Sequence, residues 1–403
     1  IGMQALTADT LGSRSIAIGA GALTAQNFTT ATNTYNTAVG HEAGTAVTTG
    51  VQNTLIGAVA GDALTDADYN VAIGVSALGS DTLGSKTTAI GRSALFTQNF
   101  TTATDTFNTA VGYASGLSVT TGTGNTLIGS LAGDALTVSV DNVAVGINAL
   151  GSDTKGQNSV AIGAGSLQTQ NFTTATNAYN VAVGRSAGLA ITTGIKNVVV
   201  GALALDAATT GQENVAIGHQ ALSADTKGQK NVAVGATALG AQNFSTATNS
   251  YNVAVGHDAG AAVTTGVRNT IIGGLAGDAL TDADKNTALG YGALSSDTLG
   301  SRSVAIGDSA LFTQNFTSAT DSYNVAVGLN AGYAVTTGIE NTLIGGLAGD
   351  VLTDADYNVA IGSEALSSDT LGSRSTAIGR AALNTQNFTT ATDTHNTAVG
   401  FNA

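Results

Sequence analysis

A five-residue motif recurs through the whole chain at a 17- or 21-residue interval: Asn, then Thr or Val, then Ala, then a branched aliphatic residue, then Gly. Its closing glycine appears 23 times, from Gly2 to Gly400, and the intervals follow the cycle 17, 21, 17, 17. Four intervals make a 72-residue unit, so that Gly40, Gly112 and Gly184 are equivalent positions. Self-similarity at a fixed period indicates a solenoid or roll, in which each repeat buries its apolar face against its neighbours.

We number positions from this closing glycine as zero and call each interval a rung. In Val71-Ala72-Ile73 the side chains at −3 and −1 share one face and the small residue at −2 takes the other, which is strand periodicity. A second apolar stretch such as Ser76-Ala77-Leu78 is predicted to form the return side of a flattened coil. Turn formers such as Gly79-Ser80-Asp81-Thr82 fill the rest. The sequence therefore predicts an all-β fold, a parallel β-roll or β-solenoid of 17- and 21-residue rungs with a 72-residue, four-rung super-repeat.

The unbroken period leaves no place for a domain boundary, so we expect residues 1–403 to form a single continuous repeat array. Its complete super-repeats run over about 41–112, 113–184, 185–256, 257–328 and 329–400. The chain starts within one motif and stops just after another, and we therefore expect a fragment of a longer fibre. At roughly 4.8 Å per rung, such an array predicts a rod.

Composition narrows the classes of partner. The chain has 53 glycines and no proline, which suggests that every backbone N–H is needed for a hydrogen-bond ladder or a stereotyped turn. The absence of cysteine excludes a disulfide framework and thiolate metal sites. A net charge of −14 argues against a nucleic-acid partner, which would need a basic stripe. No run approaches about 18 apolar residues, so we expect no membrane insertion by this segment.

Position −4 is Asn in 17 of the 22 rungs that contain it. Parallel stacking would place each Asn above the next, giving a ladder of side-chain amides like those of cross-β stacks. Ligand binding is the alternative role. We assign the structural ladder to Asn36, Asn53, Asn70, Asn108, Asn125 and their equivalents. The five exceptions are Ser15, Thr87, Ser159, Ser303 and Ser375.

Both faces of the predicted strand are apolar, because branched residues fill −3 and −1 and Ala usually fills −2. In every fourth rung position −2 enlarges, as at Leu55 and Leu127. A strand that is buried on both faces needs a second layer to cover it. We expect −3 and −1 to line the coil and the small −2 face to meet sister chains. The chain would then be a homo-oligomer, with an intertwined or side-by-side homotrimer as the leading count.

The motif also resembles a known family. The run from Asn158 to Gly163 reads Asn-Ser-Val-Ala-Ile-Gly and looks like the N-S-V-A-I-G repeat of trimeric autotransporter adhesin heads of the YadA-like type. The run from Asn36 to Gly44 is similar to repeats in bacteriophage tail fibres. The resemblance covers essentially the whole chain through one short motif, although the rungs here are longer than the family's. It implies left-handed parallel β-rolls assembled as homotrimers, located outside the cell on a cell surface or a virion.

The 21-residue rung contains an insert with a constant core, Gln-Asn-Phe followed by Thr or Ser. Two roles fit its phenylalanine: an exposed site for glycans, or a wedge that packs against a neighbouring chain and fixes the register. Invariance across six internal copies favours the wedge. The six residues are Phe28, Phe100, Phe172, Phe244, Phe316 and Phe388.

Two acidic features also recur. The turn with Asp62, Asp66 and Asp68 could hold calcium, but two of its five copies lose the pattern, which favours a solvated turn. We predict no metal and no cofactor, and these three aspartates are the candidates should a metal bind. A second set of aspartates, each followed by Lys or Arg, is interpreted as an exposed salt bridge or an Asx turn. Its members are Asp9, Asp81, Asp153, Asp225, Asp297 and Asp369, in rungs that also contain most of the Ser and Thr exceptions.

Catalysis has almost no support in the sequence. The four histidines, His41, His219, His257 and His395, have no constant acidic or nucleophilic partner, and no phosphate-binding glycine motif is present. We predict a non-enzymatic extracellular fibre, the shaft or head of a bacterial surface adhesin or a phage tail fibre, that projects and multivalently engages a cell-surface glycan or protein receptor. The alternative is a solenoid ligand-binding protein, such as an ice-binding or calcium-dependent surface protein. Thr29-Thr30-Ala31-Thr32 motivates ice binding, although this segment recurs only every fourth rung.

Overall fold

The computed structural model describes all 403 residues and contains strands, turns and bends but no helix. Accordingly, it has no helix with the length and apolarity needed to cross a membrane. The chain divides into two compact units, Ile1–Asn197 and Val198–Ala403. The single continuous array stays a prediction.

The first unit contains sixteen strands, numbered in chain order. The three-residue strands are β2 Ile16–Ile18, β4 Thr37–Val39, β5 Thr54–Ile56, β6 Val71–Ile73, β8 Thr88–Ile90, β10 Thr109–Val111, β11 Thr126–Ile128, β12 Val143–Val145, β14 Val160–Ile162 and β16 Val181–Val183. The two-residue strands are β1 Gly12–Ser13, β3 Thr32–Asn33, β7 Gly84–Ser85, β9 Thr104–Asp105, β13 Gly156–Gln157 and β15 Thr176–Asn177.

The second unit contains eighteen strands. The three-residue strands are β17 Val198–Val200, β18 Val215–Ile217, β20 Val232–Val234, β22 Val253–Val255, β23 Thr270–Ile272, β24 Thr287–Leu289, β26 Val304–Ile306, β28 Val325–Val327, β29 Thr342–Ile344, β30 Val359–Ile361, β32 Thr376–Ile378 and β34 Thr397–Val399. The two-residue strands are β19 Gly228–Gln229, β21 Thr248–Asn249, β25 Gly300–Ser301, β27 Thr320–Asp321, β31 Gly372–Ser373 and β33 Thr392–Asp393.

Within each unit, the three-residue strands pair in parallel and in register with those of the next rung. Ala38 of β4 lies opposite Leu55 of β5, which lies opposite Ala72 of β6. The two-residue strands form a further parallel pair wherever a 21-residue rung follows a 17-residue one, as β7 and β9 do. Both units are parallel β-solenoids with mostly 17-residue rungs, so the predicted fold class is confirmed.

The closing glycine of the motif is required by the close approach of successive rungs. Gly40 has a φ of 149°, and a Cβ atom added there would lie 2.3 Å from the carbonyl oxygen of Gly57. Gly57 has the same relation to Gly74, with a Cβ-to-oxygen distance of 2.5 Å. No side chain fits in that space, and an L-residue would be strained at such a φ. This steric requirement explains why the glycine never varies.

The interior of each coil is lined by position −2, not by positions −3 and −1. Ala38 and Leu55 are fully buried, whereas Val39 is half-buried and Ile56 is 37% exposed on the outer side of the strand. The predicted assignment of faces is therefore wrong. So short a coil has room beside its column of Asn for small residues and an occasional Leu, but not for two columns of branched side chains.

The apolar stretch after the glycine forms a second wall of the core as a turn, and the predicted return side is not a strand. Ala77 and Leu78 are fully buried, and Leu78 has a left-handed φ of 54°. The N–H of Leu78 donates to the carbonyl oxygen of Ala94 on the next rung, at 3.0 Å. Left-handed residues make the sharp corners that so short a coil needs. Proline can neither adopt such a φ nor donate to the next rung, which accounts for its absence.

Candidate functional site

The asparagines at position −4 form a hydrogen-bond ladder inside the coil. The Oδ1 atom of Asn36 accepts the backbone N–H of Asn53 at 2.9 Å, and Asn53 Oδ1 accepts that of Asn70 at 3.0 Å. The Nδ2 atom of Asn36 donates to the carbonyl oxygen of Gly50 at 2.7 Å. The ladder thus consists mainly of bonds from side chain to backbone, and not of the amide-to-amide bonds that we expected. The predicted ladder residues Asn36, Asn53, Asn70, Asn108 and Asn125 are all buried.

An aspartate of the preceding 17-residue rung anchors each 21-residue rung. Asp81 accepts the backbone N–H groups of Gly84 and Phe100, both at 3.0 Å, and the Nε2 group of Gln98 at 2.6 Å. Gln98 in turn accepts a hydrogen bond from Asn108 at 2.8 Å, which joins the anchor to the ladder. A Cβ atom on Gly84 would lie 2.1 Å from a carboxylate oxygen of Asp81. The insert is therefore a packed part of the coil and not a free loop.

The phenylalanine of the insert packs within its own chain. Phe316 covers Gly300 of the preceding rung, where its Cδ2 atom lies 2.7 Å from the place that an added Cβ would take. The ring is therefore neither an exposed glycan platform nor a wedge against a neighbouring chain, and both predicted roles are wrong. It holds the longer rung in register with the shorter one. Phe28, Phe100, Phe172, Phe244 and Phe316 are buried, and Phe388 is half-buried.

In five of the six long rungs the glutamine of the insert contacts a Ser or Thr that replaces Asn in the preceding rung, whereas the sixth keeps Asn231 in the ladder beside Gln242. Gln98 Nε2 donates to Thr87 Oγ1 at 3.1 Å, while its Oε1 atom accepts from Asn108. The glutamine therefore occupies the place in the ladder that an Asn at position 87 would fill. The other four exceptions bond to their own glutamine in the same way, namely Ser15, Ser159, Ser303 and Ser375.

The aspartates of the second acidic set are not exposed salt bridges. Lys86 pairs with Asp105 at 2.6 Å and not with the preceding Asp81, whose bond to Gly84 closes a turn as predicted. Burial raises the pKa of Asp225 and Asp297 above the ordinary value of 3.8, although hydrogen bonds to their carboxylates act in the opposite direction. Asp81, Asp153, Asp225, Asp297 and Asp369 are buried, and Asp9 is half-buried.

The acidic turn does not gather its carboxylates around one point. Asp66 accepts the hydroxyl of Thr49 at 2.6 Å, and Asp68 accepts a backbone N–H at 2.8 Å. Burial raises the pKa of Asp62 above its ordinary value of 3.8. No group of three or more acidic or histidine side chains has the arrangement to hold a metal ion. The three aspartates instead serve hydrogen bonds within the chain or remain at its surface.

A second ladder uses the threonine at position +8. Thr65 donates its hydroxyl to the carbonyl oxygen of Thr82 at 3.1 Å, and Thr82 donates to the carbonyl oxygen of Phe100 at 2.8 Å. The 17-residue rungs carry Thr at this position and the 21-residue rungs carry Asn. Most hydroxyls of this column therefore bond to the chain itself. Few of them remain available to match an ice lattice, as the ice-binding alternative would require.

The outer strand face, formed by positions −3 and −1, carries no charge in either unit. Every residue there is Thr, Val or Ile, except Leu289. With about 10 Å of strand and about 4.8 Å of rise per rung, the ten strands of the first unit present roughly 500 Å² and the twelve of the second roughly 600 Å². These areas match the largest apolar patches of ordinary monomers, which often mark interaction sites.

A row of mostly long side chains runs beside this face at position −5, interrupted at Gly124, and the sequence patterns above do not reveal it. Its residues all take left-handed φ angles, between 50° and 69°. Eight of the 13 Lys and Arg residues lie there together with seven aromatic residues. Cations lie against rings of the next rung, as Lys230 does with Tyr251 at 5.4 Å. Aligning the rungs on the closing glycine would have shown this column.

The histidines lie at the surface. His41 lies 3.8 Å from Glu42, and His257 lies 3.0 Å from Asp258, with both histidines largely exposed. Neither pair is oriented by a third group of the kind that a catalytic triad requires. The chain encloses no pocket.

Neither a scan of protein-family models nor a search of curated proteins finds a match for this chain. The chain has two distinctive outer surfaces, the outer strand face and the row at position −5.

Proposed function

We propose that the chain is a structural segment of an extracellular fibre, which self-associates through its outer strand face and carries receptor-binding surface outward. The observation that carries this proposal is that the face is uncharged in every rung and consists of β-branched residues with the single exception of Leu289. Soluble proteins protect exposed sheets with charged residues, and none is present here.

The area of the face suits a second copy of the chain. Stable interfaces bury about 800 Å² on each partner, and the outer strand face of each unit, at roughly 500 or 600 Å², supplies most of that area by itself. The face is also regular, with branched side chains at a constant rung spacing, so the ridges of an identical face fit its grooves when the second copy is offset by half a rung. The homotrimer is the count that the resemblance to adhesin heads implies.

Two features of the chain support the proposed role as an adhesin head, shaft or phage tail fibre. The chain has no pocket for a small substrate, and its interior is occupied by ladders. Repetition multiplies any surface contact along the assembly, which raises avidity without new chemistry.

Sedimentation velocity of the purified chain tests the assembly. We expect a trimer, and we expect the variant Val71→Lys with Ile73→Lys to dissociate because it places two charges within the face. The control is Thr121→Lys with Val138→Lys, which adds the same charges at exposed turn residues outside the face. A monomeric wild type at micromolar concentration would overturn the proposal, and so would a face variant that assembles like the control.

A further inference from the structure

The row at position −5 contains one run of three cations on successive rungs of the second unit. Arg268, Lys285 and Arg302 occupy it, preceded by Tyr251 and followed by Tyr323, which are 47% and 50% exposed. We call these five residues the basic row. No other stretch of position −5 carries three consecutive cations.

The backbone holds these cations in register. The N–H of Arg268 donates to the carbonyl oxygen of Ser250 at 2.7 Å, and that of Arg302 donates to Asp284 at 3.0 Å. Successive side chains therefore leave the coil at corresponding points roughly 4.8 Å apart. At this spacing the three like charges on neighbouring rungs repel one another.

Neighbouring acids relieve this repulsion only in part. Arg302 pairs with Asp321 at 2.8 Å, but Arg268 and Lys285 are exposed and have no ion-pair partner. The carboxylate of Asp284 accepts a backbone N–H at 2.7 Å. The chain has only 13 Lys and Arg residues and a net charge of −14, and three of these cations nevertheless lie side by side, where they repel one another. Conflicts of this kind are expected at functional sites.

We propose that the basic row binds an acidic polysaccharide that carries carboxylate or sulfate groups on successive sugars and lies along the row. A guanidinium group forms paired hydrogen bonds with such anions, and a lysine adds a point charge. The rung spacing is close to the length of one sugar residue, so anions on neighbouring sugars meet cations on neighbouring rungs. Tyr251 and Tyr323 offer rings with a polar tip at both ends of the row, a combination that suits sugar rings and hydroxyls.

A nucleic acid fits this surface less well than an acidic glycan. A duplex carries a dense line of phosphates and needs a broad basic surface, whereas this row is narrow and belongs to a strongly acidic chain. The row lies at the edge of the outer strand face, where an assembled interface keeps a polar, accessible rim. The assignment deepens the proposed function by naming the chemistry of the receptor, and it rests on that function for the display of the row outside a cell.

Binding of the full chain to immobilised heparin and polygalacturonate at physiological salt tests the assignment, with dextran as the uncharged polymer. We expect the variant Arg268→Gln with Lys285→Gln to lose about tenfold or more in affinity. The matched control is Arg92→Gln with Arg185→Gln, which removes two exposed cations from the other unit and brings the same net charge. Binding to only one of the acidic polymers would support the proposal and identify the anion.

Three results would overturn it: binding of the wild type to neither acidic polymer, equal binding to dextran, or equal losses in the two variants. Sedimentation of the row variant separates this proposal from the previous one. If the variant loses assembly together with binding, the row is an interface between copies and the glycan assignment fails. If the wild type is monomeric but binds through the row, the assembly proposal fails and the glycan assignment stands.

Discussion

The side-chain carbonyl of Asn36 and the backbone N–H of Asn53 are joined from one rung to the next by a 2.9 Å hydrogen bond inside the coil. The same bond links Asn53 to Asn70. It satisfies a backbone donor at the corner before each strand, where the chain turns too sharply for strand pairing to do so. A side chain of this length and chemistry is therefore needed on nearly every rung.

Replacing Asn53 by Ala should destabilise the first unit by about 2–5 kcal/mol, because the buried N–H of Asn70 and the carbonyl of Ala67 each lose their partner. Urea unfolding measures the loss, and hydrogen exchange at the Asn70 amide locates it. Gln52→Ala, at the exposed neighbouring position, should stay within about 0.5 kcal/mol of the wild type. Equal effects of the two substitutions would show that the ladder contributes nothing.

Two adjacent glycines provide a second test. A Cβ atom on Gly345, at a φ of 137°, would lie 2.5 Å from the backbone of Gly362, whereas one on Gly346 would meet nothing within 4 Å. Gly345→Ala should therefore cost at least about 2 kcal/mol, and Gly346→Ala should be neutral or stabilise by up to about 1 kcal/mol. Thermal or urea unfolding of the two single variants decides the matter. Similar midpoints would mean that rung spacing does not depend on the glycine.

The sequence was sufficient for the period, the strand positions and the existence of an Asn column, because these depend on recurrence alone. It was not sufficient to orient the strand. Val71 and Ile73 look like core residues and Ala72 looks like a surface residue, yet the coil buries Ala72. The volume inside the coil decides this, and the volume depends on corners made by left-handed residues such as Leu78 that no periodicity predicts.

The same limit applies to the long rung. The invariance of Asp81, Gln98 and Phe100 is visible in the sequence, but the sequence does not show that the three residues act together. The structure joins them through hydrogen bonds from Gln98 and Phe100 to one carboxylate. Contacts between residues one rung apart become readable only after the rungs are superposed, which is also why the row at position −5 escaped notice.

The buried carboxylates predict an unusual dependence of stability on pH. Burial raises the folded-state pKa of Asp297 above its ordinary value of 3.8, so the folded chain binds this proton more tightly than the unfolded chain does. The free energy of unfolding should therefore increase as the pH falls from about 7 through the folded-state pKa toward about 4, and decrease again as the pH rises.

Urea midpoints across that pH range measure the effect, and Asp297→Asn should flatten the slope because it removes the titrating group. Asp282→Asn, which removes a carboxylate from an exposed turn, is the control for the loss of one negative charge. If the slope of Asp297→Asn equals that of the control, the buried carboxylate is not the source of the pH dependence.

Two phenylalanines of one long rung separate the structural role of the insert from a role in recognition. Phe100 is 7% exposed and its backbone N–H donates to Asp81, whereas Phe107, at position −5, is 62% exposed and lies 5.4 Å from the ammonium group of Lys86. Phe100→Ala should cost about 3–5 kcal/mol, because it empties a packed site and loosens the anchor of the rung. Phe107→Ala should cost less than about 1 kcal/mol, the value of an exposed cation–π contact.

Urea unfolding of both variants, with hydrogen exchange at Gly84 as a local probe, gives the comparison. Comparable losses would contradict the structural role of Phe100, whereas a large loss for Phe100 alone makes it the structural support on which the 21-residue rung depends.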